Sequence, residues 1–123
     1  MKESETLQKI RDMILYAESV CLPQFPREHR YTTAAFIRQN MDEVVALCIA
    51  AWKKYYKKTT LQDMDISLQQ LKSRVERCYL MHILPPKWYE RWSEMLNEIG
   101  RMVGGMIRTE NEKVKEREGK NHA

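Results

Sequence analysis

Apolar residues recur in alternating steps of three and four along four stretches of this chain, the spacing of one face of an α-helix. The first stripe is Leu7, Ile10, Ile14, Ala17 and Cys21, and the second is Ala34, Ile37, Met41, Val44, Cys48, Ala51 and Tyr55. The third runs Leu61, Met64, Leu68, Leu71, Val75, Cys78 and His82, and the fourth Trp88, Trp92, Met95, Ile99, Met102 and Met106. No stretch alternates with period two for long enough to make a strand. Breakers fall between the stripes. Pro23 and Pro26 stop the first helix, because proline has no amide hydrogen and clashes with the preceding turn. Pro85 and Pro86 open the fourth from its first turn. Ser4 is placed to cap the first helix, Thr32 or Thr33 to open the second, and Thr60 to cap the third, with Asp63 in the capping-box position. Lys57 and Lys58 read as the last turn of the second helix, where cations face the negative end of the dipole.

These signals predict helices over about 4–22, 32–57, 61–83 and 86–108, followed by a polar tail over 109–123, frayed or disordered. Short connections make the second, third and fourth helices antiparallel neighbours. The fold class expected is all-α, an antiparallel up-down four-helix bundle spanning residues 1–108. The chain has 123 residues, enough for one domain with a modest core.

Charge changes the picture in one place. Between Pro23 and Lys58 stand Arg27, Arg30, Arg38, Lys53, Lys54, Lys57 and Lys58 against Glu28, Asp42 and Glu43, so this third of the chain carries the whole net charge of +4. A basic face attracts phosphate backbones or an acidic partner. Within it, Trp52-Lys53-Lys54-Tyr55-Tyr56-Lys57-Lys58 interleaves lysines with aromatics, a pattern that puts ammonium groups on phosphates and rings under bases. The same residues also read as a core tyrosine beside a solvated helix end.

The acidic, polar N-terminus is unlike a secretory signal, and no apolar run approaches the roughly 20 residues needed to cross a bilayer. A cytoplasmic location and no membrane partner are expected. Cys21, Cys48 and Cys78 fall on the core-facing stripes with no metal-ligand spacing and read as buried free thiols. No glutamate stands three residues before His29, His82 or His122, so the carboxylate–histidine repeats of di-metal bundles are absent. Asp63 and Asp65 are explained by the dipole of a helix's first turn. Neither a Walker loop nor a Gly-x-Ser-x-Gly elbow occurs. No catalytic residue, metal or cofactor is expected.

Two further features require explanation. Glycine costs a helix interior roughly 1 kcal/mol relative to alanine, yet Gly100, Gly104 and Gly105 fall within six residues. Their missing side chains let another helix, of this subunit or the next, approach closely, with Glu98 and Arg101 pairing together or reaching across. Apolar residues also stand off the stripes, at Leu15, Tyr16, Phe36, Val45, Leu47, Trp52, Leu80, Leu96, Val103 and Ile107. They widen the core face or mark self-association.

Two of these stretches together resemble a known family. Leu22-Pro23-Gln24-Phe25-Pro26-Arg27-Glu28-His29-Arg30-Tyr31-Thr32 is similar to a Phe-Pro-Arg-x-x-Arg-aromatic-Thr motif. Asn97-Glu98-Ile99-Gly100-Arg101-Met102-Val103-Gly104-Gly105-Met106-Ile107 is similar to a Glu-Ile-Gly-Arg-x-x-Gly-Gly ending. Both belong to Avd, the accessory variability determinant of diversity-generating retroelements, and the resemblance covers residues 4 to about 108. It implies a homopentameric barrel of four-helix bundles with a basic exterior. It also implies a non-catalytic protein that binds the element's reverse transcriptase and template RNA in support of mutagenic copying. On that expectation Arg27, Arg30, Arg38, Lys53, Lys54, Lys57 and Lys58 contact RNA, DNA or an acidic surface of the polymerase, with Lys72, Arg74 and Arg77 as further candidates. Glu98, Gly100, Arg101, Gly104 and Gly105 are expected to serve packing. A sister family, encoded in intervening sequences of large ribosomal RNA genes, shares the Phe-Pro loop. It carries an Asn-x-Ala-Glu-Gly turn where Lys57-Lys58-Thr59-Thr60 stands here. The alternative function it implies is a structural or protein-interaction bundle without nucleic-acid affinity.

Overall fold

The structure is a computed structural model that describes residues 2–122, so Met1 and Ala123, expected in the bundle and the tail, lie outside the described residues. Among the described residues there are four α-helices and no strand: α1 (Lys2–Tyr16), α2 (Thr33–Lys53), α3 (Lys58–Leu80) and α4 (Pro86–His122). Each helix packs on two neighbours, α1 and α3 both lying against α2 and α4. The bonds between them have the register of antiparallel pairs. Glu3 meets Cys48 and Glu18 meets Arg38, Asn40 meets Ser67, and Lys9 meets Glu98 while Cys21 meets the Trp88 carbonyl. The chain is therefore an up-down-up-down four-helix bundle.

The core follows the stripes with local shifts. Met13 is fully buried where Ile14 is half-buried, and on α4 the buried line is Trp92, Leu96, Ile99, Val103 and Met106. Leu96 and Val103 are thus core residues and not outside ones. Leu15, Phe36 and Leu80 remain exposed. Among the described residues, the Nε1–H of buried Trp92 has no acceptor.

Several expected boundaries move, each for a local reason. The first helix widens into a π turn at Ala17–Cys21, its Leu22 amide donating to the Ala17 carbonyl, and ends in two 3-10 turns at Leu22–Gln24 and Arg27–His29. The second helix stops at Lys53 and not at 57, because Lys54 adopts an extended backbone (φ −86°, ψ 147°). Tyr55 is consequently off the core, and Lys57 and Lys58 belong to the start of α3. Thr60 lies inside that helix, where its buried hydroxyl accepts from Lys54 Nζ at 3.2 Å and caps nothing. The third helix ends at Leu80 because His82 takes a left-handed conformation (φ 60°), leaving it exposed. The amides of Ile83 and Leu84 then donate to the Cys78 carbonyl, closing the helix end in the manner usually reserved for glycine. The last change is the tail: α4 continues as helix to His122. Glu110 is buried and pairs with Lys113 at 3.3 Å, and the Arg117 guanidinium lies 5.3 Å from the centre of the Tyr56 ring.

The loops at one end of the bundle are part of the core. Leu22 and Phe25 from the α1–α2 connection and Ile83 and Leu84 from the α3–α4 connection are buried there. Each withdraws apolar surface worth about 1.5–3 kcal/mol. Tyr79 stacks on Tyr89 with ring centres 4.3 Å apart, tying α3 to α4 at that end.

Candidate nucleic-acid interface

The ten basic candidates divide between the two ends and the middle of the bundle. At the α2–α3 loop, the extended backbone of Lys54 turns Tyr55 and Tyr56 outward, and they stand 78% and 72% exposed. Their rings meet edge to face at 4.8 Å. Lys53 Nζ lies 4.6 Å over the Trp52 ring, and Lys58 is exposed in the first turn of α3. Lys57, the residue capping that helix, is drawn inward to Glu3, with Nζ 2.8 Å from the carboxylate and both side chains largely buried. Burial alone raises the Glu3 carboxyl. The hydrogen bond and charge of Lys57 outweigh it, and the group sits below its ordinary 4.5.

The electrostatics of this end are the reverse of those expected from the sequence. Lys57 and Lys58 stand at the N-terminus of α3, the end that already carries a partial positive charge from unpaired amides, and Lys53 and Lys54 at the adjoining end of α2 complete a group of four. Only Lys57 has a carboxylate partner among the described residues. An uncompensated cluster of this kind favours an anion, and the exposed tyrosines beside it offer flat faces to unpaired bases.

The remaining candidates are placed elsewhere. Arg27 is exposed on its 3-10 turn, and Arg30 donates to the Phe25 carbonyl at 3.2 Å. Arg38 makes a two-pronged bond to Glu18, at 2.7 and 3.1 Å, which raises its pKa and spends its charge. Arg74 and Arg77 share a pocket at the opposite end from the tyrosines. Lys72 is half-buried between α3 and α4.

Lys72 explains part of the glycine stretch. A Cβ on Gly100 would lie 2.8 Å from Lys72 Nζ, whereas Gly104 and Gly105 meet only the Arg108 guanidinium, at 3.7 Å. Among the described residues, no atom of another helix lies within 4 Å of a Cβ built on either of those two glycines. Above Gly100 and Gly104 runs an open groove of about 600 Å³, rimmed by Asp65, Lys72, Arg101 and Arg108. Glu98 does not pair with Arg101 but reaches Lys9 of α1 at 3.4 Å.

A family model described as bAvd-like matches residues 6–110. The chain belongs to the bAvd-like family. No protein of curated function matches it. The match spans all four helices of this bAvd-like chain and stops before Arg117, so the final turns of α4 that reach Tyr56 lie beyond it.

Sequence reasoning missed Arg117, because its partner, Tyr56, lies far back along the chain and the segment has the composition of a solvated tail. Among the described residues no three His, Cys, Asp or Glu side chains gather as a metal-binding group, and no helix is long and apolar enough to cross a membrane. The three cysteines are free and buried. Burial pushes the Cys21 thiol up to about 12 and Cys48 to about 11, and it raises Cys78 as well.

Proposed function

We propose that this protein is the accessory factor of a diversity-generating retroelement, cytoplasmic and without catalytic activity of its own. It binds the element's template RNA and its reverse transcriptase and assembles as a homopentamer. Membership in the bAvd-like family supports the accessory role. The single observation that carries the RNA part is the lysine cluster around the N-terminus of α3, flanked by the exposed Tyr55 and Tyr56. Lys53, Lys54 and Lys58 take phosphates there, Tyr55 and Tyr56 stack under unpaired bases, and Lys57 holds the platform by its bond to Glu3. Arg38, neutralised by Glu18, is not part of this contact.

Assembly is supported by the glycines. Among the described residues, Gly104 and Gly105 have no neighbour that requires a missing side chain, so the close approach they permit is that of another subunit's helix. Light scattering behind size exclusion, with a structured RNA at two salt concentrations, tests both parts. A five-subunit mass that binds RNA at low salt and releases it as salt rises supports the reading, since each phosphate contact adds to the salt dependence. A monomer indifferent to RNA overturns it.

A further inference from the structure

At the end of the bundle away from the tyrosines, α2 and α3 enclose a pocket of about 360 Å³. Buried Ile37, Cys78 and Ile83 line it, and exposed Phe36 (59%) and Met81 (58%) stand at its rim. Arg74 and Arg77 supply its charge, and no carboxylate is among its lining residues.

Arg74 is held in place by neutral groups. Its Nη1 donates to Asn40 Oδ1 at 2.7 Å, and Asn40, itself buried, donates from Nδ2 to the Ser67 carbonyl at 3.0 Å and hydroxyl at 3.1 Å. A guanidinium has five donors, and this relay fixes its orientation while using one. Among the described residues neither Arg74 nor Arg77 has an acidic partner, whereas Arg38, Lys57 and Lys9 each have one. The result is a pre-oriented cation beside apolar walls, a receptor that matches a carboxylate next to an aliphatic or aromatic group.

We propose that this pocket docks an acidic, apolar segment of a partner protein. Arg74 and Arg77 clamp a carboxylate, and the neighbouring apolar side chain seats against Phe36, Ile37 and Met81. A nucleic-acid backbone fits poorly, because it needs a row of cations along its track and finds two here over an apolar floor. The lysine cluster is the length of α2 away, roughly 30 Å. Phe36 and Met81 carry the apolar surface beyond the pocket mouth, which fits a polypeptide better than a free small acid. The proposal stands apart from the RNA reading, since it rests on different residues at the other end.

The test uses the full chain labelled at its methionine methyl groups. The probe is a short blocked peptide bearing leucine and glutamate one helical turn apart, with a version carrying glutamine instead and with oligouridylate as comparisons. The glutamate peptide should bind saturably and shift the Met81 methyl resonance. The glutamine version and the Arg77→Ala protein should each bind about tenfold weaker, the loss of one charge-assisted hydrogen bond. Phe36→Ala should weaken binding several-fold. Both substituted side chains are exposed, so far-UV circular dichroism and the other methyl resonances should report an unchanged fold. No saturable binding up to millimolar peptide overturns the proposal. Equal affinity for the two peptides, or an Arg77→Ala protein that binds as well as wild type, does the same. Displacement of the peptide by oligouridylate would also overturn it, assigning the pocket to nucleic acid.

Discussion

The two ends of the bundle are built on opposite principles. Where α2 passes into α3, the loop is polar and its aromatics face solvent. The end is secured by one largely buried ion pair, Glu3 with Lys57, and by the far turns of α4 reaching Tyr56. Where α1 passes into α2 and α3 into α4, the loops turn inward and Leu22, Phe25, Ile83 and Leu84 close the core. The first end leaves cations uncompensated around a helix N-terminus. The second leaves two arginines beside an apolar pocket. Charge alone therefore does not define what a surface binds. The lysines lie beside flat, solvated rings and suit a polyanion with unpaired bases, whereas the arginines lie over hydrocarbon and suit an acidic protein segment.

Stability should separate the ends most sharply. Phe25→Ala deletes a fully buried aromatic from the apolar end and should cost about 3–5 kcal/mol in urea unfolding. Tyr55→Ala, at the solvated end, should change stability by less than about 0.5 kcal/mol. A comparable loss at both positions would erase the distinction. Next in size is the effect on RNA. Replacing Lys53, Lys54 and Lys58 together by glutamine should weaken binding of single-stranded RNA by tenfold or more at low salt and flatten the salt dependence. Arg38→Gln should leave both unchanged, which filter binding across a salt series would check.

The ion pair comes third. Lys57→Ala leaves Glu3 without its partner and should cost about 1–2 kcal/mol near neutral pH. Because the folded Glu3 pKa is lowered, its contribution is complete above the unfolded value of about 4.5 and fades as pH falls through the folded one. The difference between wild type and variant should therefore shrink in denaturation curves as pH falls below the unfolded value and through the lowered folded one. The smallest effect concerns neither end but the groove between them. Gly104→Ala places a methyl in ordinary contact distance of Arg108 and should raise the helix stability of an isolated subunit by up to about 1 kcal/mol. If the glycine face is an interface, the same change should lower the oligomer mass seen by light scattering. A stabilised protein with unaltered assembly would remove the glycines from the contact.

Much of the fold was legible because core residues on a helix must repeat with its period. Cys21, Cys48 and Cys78, placed on stripes, are all buried. The period says nothing about where the backbone leaves the helix when neither proline nor glycine marks the place. Tyr55 keeps the register of the second stripe although Lys54 has already turned the chain outward. His82 continues the third stripe although it sits in a conformation that glycine usually occupies. Loop residues that plug the core, Phe25 above all, follow no helical period. At the candidate sites, sequence supplied the residue types and not their partners. Arg38 and Lys57 read as free cations, and their neutralising acids, Glu18 and Glu3, are far away along the chain. Asn40 and Ser67, which orient Arg74, carried no signal in a pattern of apolar stripes.

RNA is proposed to be taken at the lysine–tyrosine end and not at the arginine pocket. The most direct test is photo-crosslinking of a 4-thiouridine RNA to the full chain, with the linked peptides mapped by mass spectrometry. Crosslinks are expected at Tyr55 and Tyr56 and in the adjoining lysine segment, lost when the two tyrosines are replaced by alanine. Crosslinks concentrated at Phe36 and Met81, with Tyr55 and Tyr56 unmarked, would contradict it.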